Sequence, residues 1–322
     1  MKNACIIGFG EIGPLHAMAI EELSSVNLYG ICDVDDKALK NAKERYPNVK
    51  EFKSFDDALN DPEIDSFHIC TPHYLHFEMI KKALEKGKSV VTEKPVTRTQ
   101  EEFDTLLELE GAETVCVNFQ NRYNNCIVKL HEIIESGDYG NIIGIKANVL
   151  WKRDAAYYNS AEWRGTTSME GGGVLINQSI HTLDHLLTLC GRPVSLTATT
   201  ANLSLQNVIE VEDTVTAIIN FKDTTGMFFA TNATSYNSAP FIEILCDKAR
   251  ITYANGNLYI GDDIICSDDD PIEGVKNYWG RGHLHLLKDF YENNKFISPR
   301  DAKDTMDTVF AIYKSNGKEI IL

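Results

Sequence analysis

The chain lacks any run of the roughly 18 consecutive apolar residues that a membrane-crossing helix needs. Its first residues pass straight into an apolar strand, so no secretory leader is expected. No membrane partner is expected, and a cytoplasmic location is. Positive charge is scarce: 31 Lys and Arg stand against 47 Asp and Glu, for a formal net charge of −16. Such a surface repels a polyanion, so nucleic acid is not an expected partner, and an anionic substrate would need a local basic pocket. Cysteine pairs are missing too. Cys5, Cys32, Cys70, Cys116, Cys126, Cys190, Cys246 and Cys266 form no C-x-x-C motif. They read as small buried residues of a reducing compartment, not as a disulfide framework or a zinc site. No internal repeat or low-complexity linker interrupts the 322 residues, a length sufficient for two domains with cores of their own.

What is present begins with Ile6-Ile7-Gly8-Phe9-Gly10-Glu11-Ile12-Gly13, an apolar strand ending in G-x-G-x-x-G. Gly8 allows a sharp turn out of the strand, Gly10 lets the backbone approach a pyrophosphate, and Gly13 lets the opening helix pack close to the sheet. Phosphates then meet the positive end of that helix. Asp33 follows at the end of the next strand, where a carboxylate reaches adenosine ribose hydroxyls and repels a 2′-phosphate. Asp35 and Asp36 add negative charge nearby, so NAD is favoured over NADP.

Strand and helix alternate through the first part. Strands are expected at 4–7, 28–32, 51–52, 66–70, 89–92 and 114–118, and helices at 15–23, 36–46, 55–59, 74–86 and 99–110. This is the pattern of a doubly wound parallel sheet, a Rossmann domain over 1–120. Beyond about Asn121 a helix at 125–135 leads to longer strands at 142–151, 194–202, 213–221, 224–235, 241–246 and 250–254. One buried helix, 174–189, interrupts them, and helices at 283–292 and 301–315 close the chain. The expected second domain, 121–322, is therefore α+β with a large, mainly antiparallel open sheet, its closing helices able to pack back on the first. The acidic run Asp268-Asp269-Asp270 is expected to be a solvated loop, since it lacks the alternating ligands and bidentate Glu of a calcium loop.

In a doubly wound sheet a ligand crosses the carboxyl ends of the strands. Three of those ends are unusual: Thr71-Pro72-His73-Tyr74-Leu75-His76, Glu93-Lys94-Pro95, and Phe119-Gln120-Asn121-Arg122-Tyr123. Further on come Trp163-Arg164-Gly165, Gly171-Gly172-Gly173 running into Asn177-Gln178, and His181-Thr182-Leu183-Asp184, with Tyr278-Trp279-Gly280 before His283. Taken together, these motifs resemble the Gfo/Idh/MocA oxidoreductases, which include glucose–fructose oxidoreductase, inositol dehydrogenase and many sugar and nucleotide-sugar dehydrogenases. The resemblance spans essentially the whole chain. It implies hydride transfer between a nicotinamide cofactor and a carbinol of a sugar, cyclitol or sugar derivative, and an open sheet that serves association into a homodimer or homotetramer.

Carried over by position, the resemblance implies that Lys94 and His181 are catalytic. An imidazole suits removal of a hydroxyl proton, and an ammonium suits the developing alkoxide and the nicotinamide ribose. Asn177 stands where inositol dehydrogenase-like members have Asp. It cannot take a proton but can orient a hydroxyl. Expected cofactor contacts are Gly8, Phe9, Gly10, Glu11, Ile12, Gly13, Asp33, Thr71, Pro72, His76, Glu93, Lys94 and Gln120. Arg153, Tyr157, Tyr158, Trp163 and Arg164 form an aromatic and cationic loop suited to hydroxyl-rich or anionic substrates. Of these Arg153, Tyr157, Trp163 and Arg164, with Arg122 and His283, are the expected substrate contacts. The triple glycine serves either as a flexible helix entry or as a close approach of backbone to substrate. His181, Asp184 and His185 have the spacing of a metal face, but no metal is expected, and Asp184 reads as a helix brace. Two other readings remain open: transient oxidation with a recycled, tightly held NAD, and a catalytically silent NAD-binding or sensor protein.

Overall fold

The structure, a computed structural model, describes residues 1–269 and 281–322. Asp270, Tyr278, Trp279 and Gly280 lie outside the described residues. The chain divides into two compact units, one of 1–120 with 282–302, the other of 121–281 with 303–322.

The first unit is built on six parallel strands, β1 (Lys2–Ile7), β2 (Val26–Cys32), β3 (Lys50–Phe52), β4 (Ser66–Ile69), β5 (Ser89–Thr92) and β6 (Val115–Val117), in the order β3-β2-β1-β4-β5-β6. Its central strands are mainly apolar, with Cys5, Ile6, Phe67, Ile69, Val90 and Val91 fully buried as a sheet covered on both faces requires, although β4 also buries Ser66 and His68. The connections are α1 (Gly13–Glu21), α2 (Asp36–Arg45), α3 (Phe55–Leu59), α4 (His76–Glu85) and α5 (Gln100–Glu108). Sequence order reverses between β1 and β4, and that reversal places the Gly8 turn beside the Thr71-Pro72 corner.

The second unit opens with α6 (Asn125–Ser136), β7 (Ile142–Leu150) and the short α7 (Ala155–Tyr158). The helix expected at 174–189 is in two parts, a π-turn at Val174–Gln178 and α8 (Ile180–Cys190). The break falls at Ser179, whose hydroxyl donates back to the carbonyls of Val174 and Leu175 at 2.8 and 3.3 Å. Then follow β8 (Ser195–Ala201), β9 (Thr214–Asn220), β10 (Thr225–Thr231), β11 (Phe241–Cys246), β12 (Arg250–Ala254), β13 (Asn257–Ile260) and β14 (Asp263–Ser267). Helix α9 (Gly282–Lys288) and a π-turn at Asp289–Asn293 return to the first unit, α9 packing on α1. The chain closes in the second unit with α10 (Lys303–Ser315) and β15 (Glu319–Ile321).

Nine strands make the second sheet, in the order β14-β13-β12-β11-β7-β10-β9-β8-β15. Only the central β7–β10 pair is parallel; the other pairings are antiparallel. The sequence reading omits β13, β14 and β15. The β12–β13 hairpin turns on Asn255-Gly256, both at positive φ (53° and 71°), the conformation an Asn-Gly turn favours. The acidic run is not simply solvated. Asp268 accepts from the backbone N–H of Cys126 at 2.9 Å and from the Tyr253 hydroxyl at 2.8 Å, so it caps the first turn of α6, and Asp269 accepts from the Asn125 side chain at 2.9 Å. Among the described residues no helix is long and apolar enough to cross a membrane.

Candidate functional site

In the first unit the glycine turn is fixed by packing as much as by flexibility. A Cβ on Gly13 would lie 2.3 Å from the Gly8 carbonyl, and one on Gly8, at φ 90°, would lie 2.8 Å from the Cys70 carbonyl. Gly10 differs: nothing lies within 4 Å of its Cβ position. Asp33 holds this turn directly, accepting from the Phe9 N–H at 2.6 Å and the Asp35 N–H at 2.9 Å. Helix α1 starts with Ile12 at its N-cap and Pro14 in its first turn, and no side chain caps it. Glu11 and Ile12 therefore lead into backbone N–H groups that no side chain of the helix entry satisfies. At the end of β6, Gln120 is buried and its Oε1 has no hydrogen-bond partner, as is also true of Asn118 Oδ1. An open glycine, an uncapped helix start and unmet buried acceptors fit a dinucleotide laid across these strand ends.

His76 needs correction as a cofactor contact. It is fully buried, and its ring nitrogens meet the carbonyls of Pro95 at 2.8 Å and Thr71 at 2.9 Å. It ties the Thr71-Pro72 corner to the Glu93-Lys94-Pro95 corner and has no nitrogen left for a ligand. His283, an expected substrate contact, is buried in the first unit with Nε2 3.8 Å from Glu93 Oε1. Glu93 also accepts on Oε1 from His16 Nε2 at 3.1 Å and from the Asn118 amide. Burial pushes the Glu93 carboxyl up, but the hydrogen bond from His16 and the nearby His283 ring hold it well below the usual carboxylate range. Among the described residues, His16, Glu93 and His283 are the group whose donor atoms could surround an ion.

In the second unit, Asn177 lies in the π-turn, and its route to His181 passes through the break at Ser179, not along one ideal helical turn. Its amide nitrogen donates to Glu170 Oε1 at 2.5 Å; Glu170 is fully buried and its other oxygen accepts from the Gly165 N–H. His181 is buried at the first turn of α8. Arg122, an expected substrate contact, is paired with a buried carboxylate. Its Nε and Nη2 reach Asp184 Oδ2 and Oδ1 at 2.7 Å each, and Thr305 donates to Asp184 at 2.6 Å. Asp184 is thus the expected brace. His185 is buried and pushed down to about 4, so it stays neutral.

The aromatic and cationic loop is a stack. The Arg164 guanidinium lies 4.5 Å from the Tyr157 ring centroid and 4.7 Å from that of Trp163, and Arg153 lies 4.9 Å from Tyr157 on the same criterion. The Tyr157 hydroxyl accepts from Arg164 at 2.5 Å and from Gln178 at 3.2 Å, tying the loop to the π-turn. Tyr158 faces inward with Leu205, Ile209 and Val211.

Sequence reasoning missed Glu170 and Glu212, the buried carboxylates under the entry to α8. It also missed His16, which lies three residues after Gly13 on the buried face of α1. For Glu170 the available signal was a carboxylate directly before three glycines. For His16 it was a polar ring at a core position of the phosphate-facing helix.

Residues 2–120 match the oxidoreductase family with an NAD-binding Rossmann fold, and residues 127–252 match the GFO/IDH/MocA C-terminal domain. The chain is 31% identical over 182 residues to an uncharacterized oxidoreductase of Schizosaccharomyces pombe, covering 56% of this chain and 49% of that one. Four curated relatives, this one included, are matched over 48% to 61% of their own length. It is 26% identical over 329 aligned positions to the myo-inositol 2-dehydrogenase of Thermotoga maritima, covering 96% and 95% of the two chains. Among solved structures it is similar to the WlbA dehydrogenase of Bordetella pertussis in complex with NADH and UDP-GlcNAcA. That likeness is 26% identical, with a TM-score of 0.85, and covers 100% of this chain and 98% of that one.

Proposed function

Since the chain belongs to the Gfo/Idh/MocA oxidoreductase family, we propose that it is an NAD-dependent dehydrogenase acting on a carbinol of a sugar, cyclitol or sugar derivative. The observation that carries this reading is the glycine turn held by Asp33, open at Gly10 and leading into an uncapped helix. When bound there, NAD supplies the hydride acceptor. Asp33 selects it over NADP, since a carboxylate accepts ribose hydroxyls and repels a 2′-phosphate.

The chain's own residues supply the rest. His181 accepts the hydroxyl proton, Lys94 stabilises the developing alkoxide and hydrogen-bonds the nicotinamide ribose, and Asn177, turned by Glu170, orients the substrate. The Arg153, Tyr157, Trp163 and Arg164 stack offers cations and ring faces to a hydroxyl-rich or anionic substrate. Inositols and uridine-linked sugars lead the candidates because the inositol dehydrogenase and the WlbA complex are among its relatives. Association through the open sheet is part of the same reading. Ile218 and Met227 are paired across β9 and β10, and both are more than half exposed on that sheet.

The test is an NAD-reduction screen over inositols, free hexoses and uridine-linked sugars. Net NADH on one of them supports the reading. Lys94→Ala is then expected to abolish turnover while leaving NAD affinity largely intact. Full activity in both Lys94→Ala and His181→Ala overturns the assigned roles.

A further inference from the structure

Glu93 is held by donors that all converge on one of its two oxygens. His16 Nε2, the Asn118 amide and His283 Nε2 face Oε1, and no described group donates to Oε2. Behind His16 runs a continuous chain of buried polar groups. His16 Nδ1 is 2.8 Å from His68 Nδ1, His68 Nε2 is 2.7 Å from the Tyr291 hydroxyl, and that hydroxyl is 2.7 Å from Ser66 Oγ. Ser66, His68 and His16 are fully buried. The chain joins β4, α1 and the π-turn after α9 within the first unit, and it ends at the Glu93-Lys94 corner.

Proton positions follow from the end group. A carboxylate only accepts, so His16 Nε2 must carry hydrogen. If His16 is neutral, its Nδ1 accepts from His68 Nδ1–H, His68 Nε2 accepts from the Tyr291 hydroxyl, and Tyr291 accepts from Ser66. If His16 is charged, every bond behind it reverses. In both states His16 donates to Glu93 and its ring is fixed from behind.

We propose that His16, braced by His68, Tyr291 and Ser66, is a positioning residue that keeps Glu93 a carboxylate with Oε1 saturated and Oε2 turned to accept from a hydroxyl of the bound dinucleotide. The inference rests on the NAD-binding part of the reading above, not on the substrate class. The groups facing Glu93 are His16 of α1, His283 of α9, Asn118 after β6, Cys70 after β4, His76 of α4 and the adjacent Lys94. Of these His16 is the closest ring nitrogen. Burial alone would push the carboxyl up, so loss of the His16 donor lets it protonate at higher pH.

The experiment is NADH titration of the full-length protein from about pH 6 to about pH 8.5, across the range in which a buried carboxyl released from its donors titrates. His16→Gln can place an amide nitrogen where Nε2 stands, whereas His16→Leu fills the space without a donor. His16→Leu is expected to bind NADH about tenfold more weakly at the acid end and to recover at the alkaline end. His16→Gln should stay near wild type throughout, and Glu93→Gln should stay weak at every pH. Equal loss in the Leu and Gln variants, or wild-type affinity in the Leu variant at the acid end, overturns the proposal. So does a divalent metal retained at one per chain and lost in Glu93→Gln. Should His16→Leu fail to fold, histidine 15N spectra of the wild type decide: a proton on His16 Nε2 at neutral pH supports the proposal, and a bare Nε2 overturns it. A protein that binds NADH but oxidises no polyol defeats the substrate reading alone, and one that binds no NADH defeats both.

Discussion

Gly173 lies directly against Glu212: a Cβ on Gly173 would come within 1.9 Å of the Glu212 carbonyl oxygen, and the Gly173 N–H donates to Glu212 Oε2 at 2.9 Å. Gly172 is as confined, its Cβ position 2.0 Å from the Tyr313 hydroxyl. At these two positions the triple glycine is a packing requirement at the entry to the π-turn, not a flexible hinge. Gly173→Ala must displace backbone, at a cost at or above the roughly 1–3 kcal/mol of ordinary overpacking. Denaturant midpoints should fall accordingly. Turnover should fall more than NADH affinity, because the displaced segment carries Asn177 and the glycine turn of the first unit is untouched.

Glu212 itself gives a pH signature. Its carboxyl accepts from the N–H groups of Gly173 and Leu175 and from the Tyr313 hydroxyl, yet burial pushes it up to about 7. A carboxyl raised on folding binds more protons in the native state than in the unfolded one. Its contribution to stability is therefore full below the ordinary value near 4.5 and is lost as pH rises through about 7. Over that interval the wild type should lose about 3 kcal/mol relative to Glu212→Gln. Urea denaturation of both proteins at several pH values measures the difference, and parallel stability curves would refute the expectation.

How much of this was legible in the sequence depends on the range of the contact. The Gly8 to Gly13 turn and Asp33 could be read because strand, turn, helix and strand succeed one another within 33 residues. The buried chain behind Glu93 could not, since it joins Ser66 to Tyr291 across 225 positions and no local pattern links them. His283 shows the same limit in reverse: its motif context suggested substrate, while the fold turns it to Glu93. In the second unit the amphipathic strands β7 to β12 were visible by alternation. Strands β13 and β14 are short and bury almost nothing in alternation, whereas the equally short β12 buries every second residue; Asn255-Gly256 still marked the hairpin. The π-turn followed from one hydroxyl, Ser179, bonding backward, which hydrophobic periodicity does not report.

Cofactor choice should follow the charge on Asp33. Asp33→Asn keeps an oxygen for the Phe9 N–H but removes the carboxylate that, on the proposed reading, accepts from ribose hydroxyls and repels a 2′-phosphate. The ratio of kcat/KM for NADP over NAD should rise about a hundredfold, the equivalent of one charge-assisted hydrogen bond lost and one repulsion removed. Steady-state rates with both cofactors at fixed polyol measure it; an unchanged ratio would place selection elsewhere.

The Arg122–Asp184 pair separates a structural brace from a substrate contact. Burial pushes the Asp184 carboxyl up, but Arg122, through charge and two hydrogen bonds, outweighs it and holds the group below the ordinary carboxylate value. A depressed carboxyl contributes stability that is present above its unfolded value, near 3.9, and is lost as pH falls through its lower folded value. Arg122→Met leaves a buried charge without its partner and should cost about 3–5 kcal/mol at neutral pH, a penalty that shrinks as acid neutralises Asp184. Adding Asp184→Leu removes the stranded charge and should restore most of the stability. That double variant then decides the role of Arg122. Stability and turnover recovering together make the pair a brace, as the bidentate geometry indicates, whereas restored stability with a raised KM would return Arg122 to the substrate.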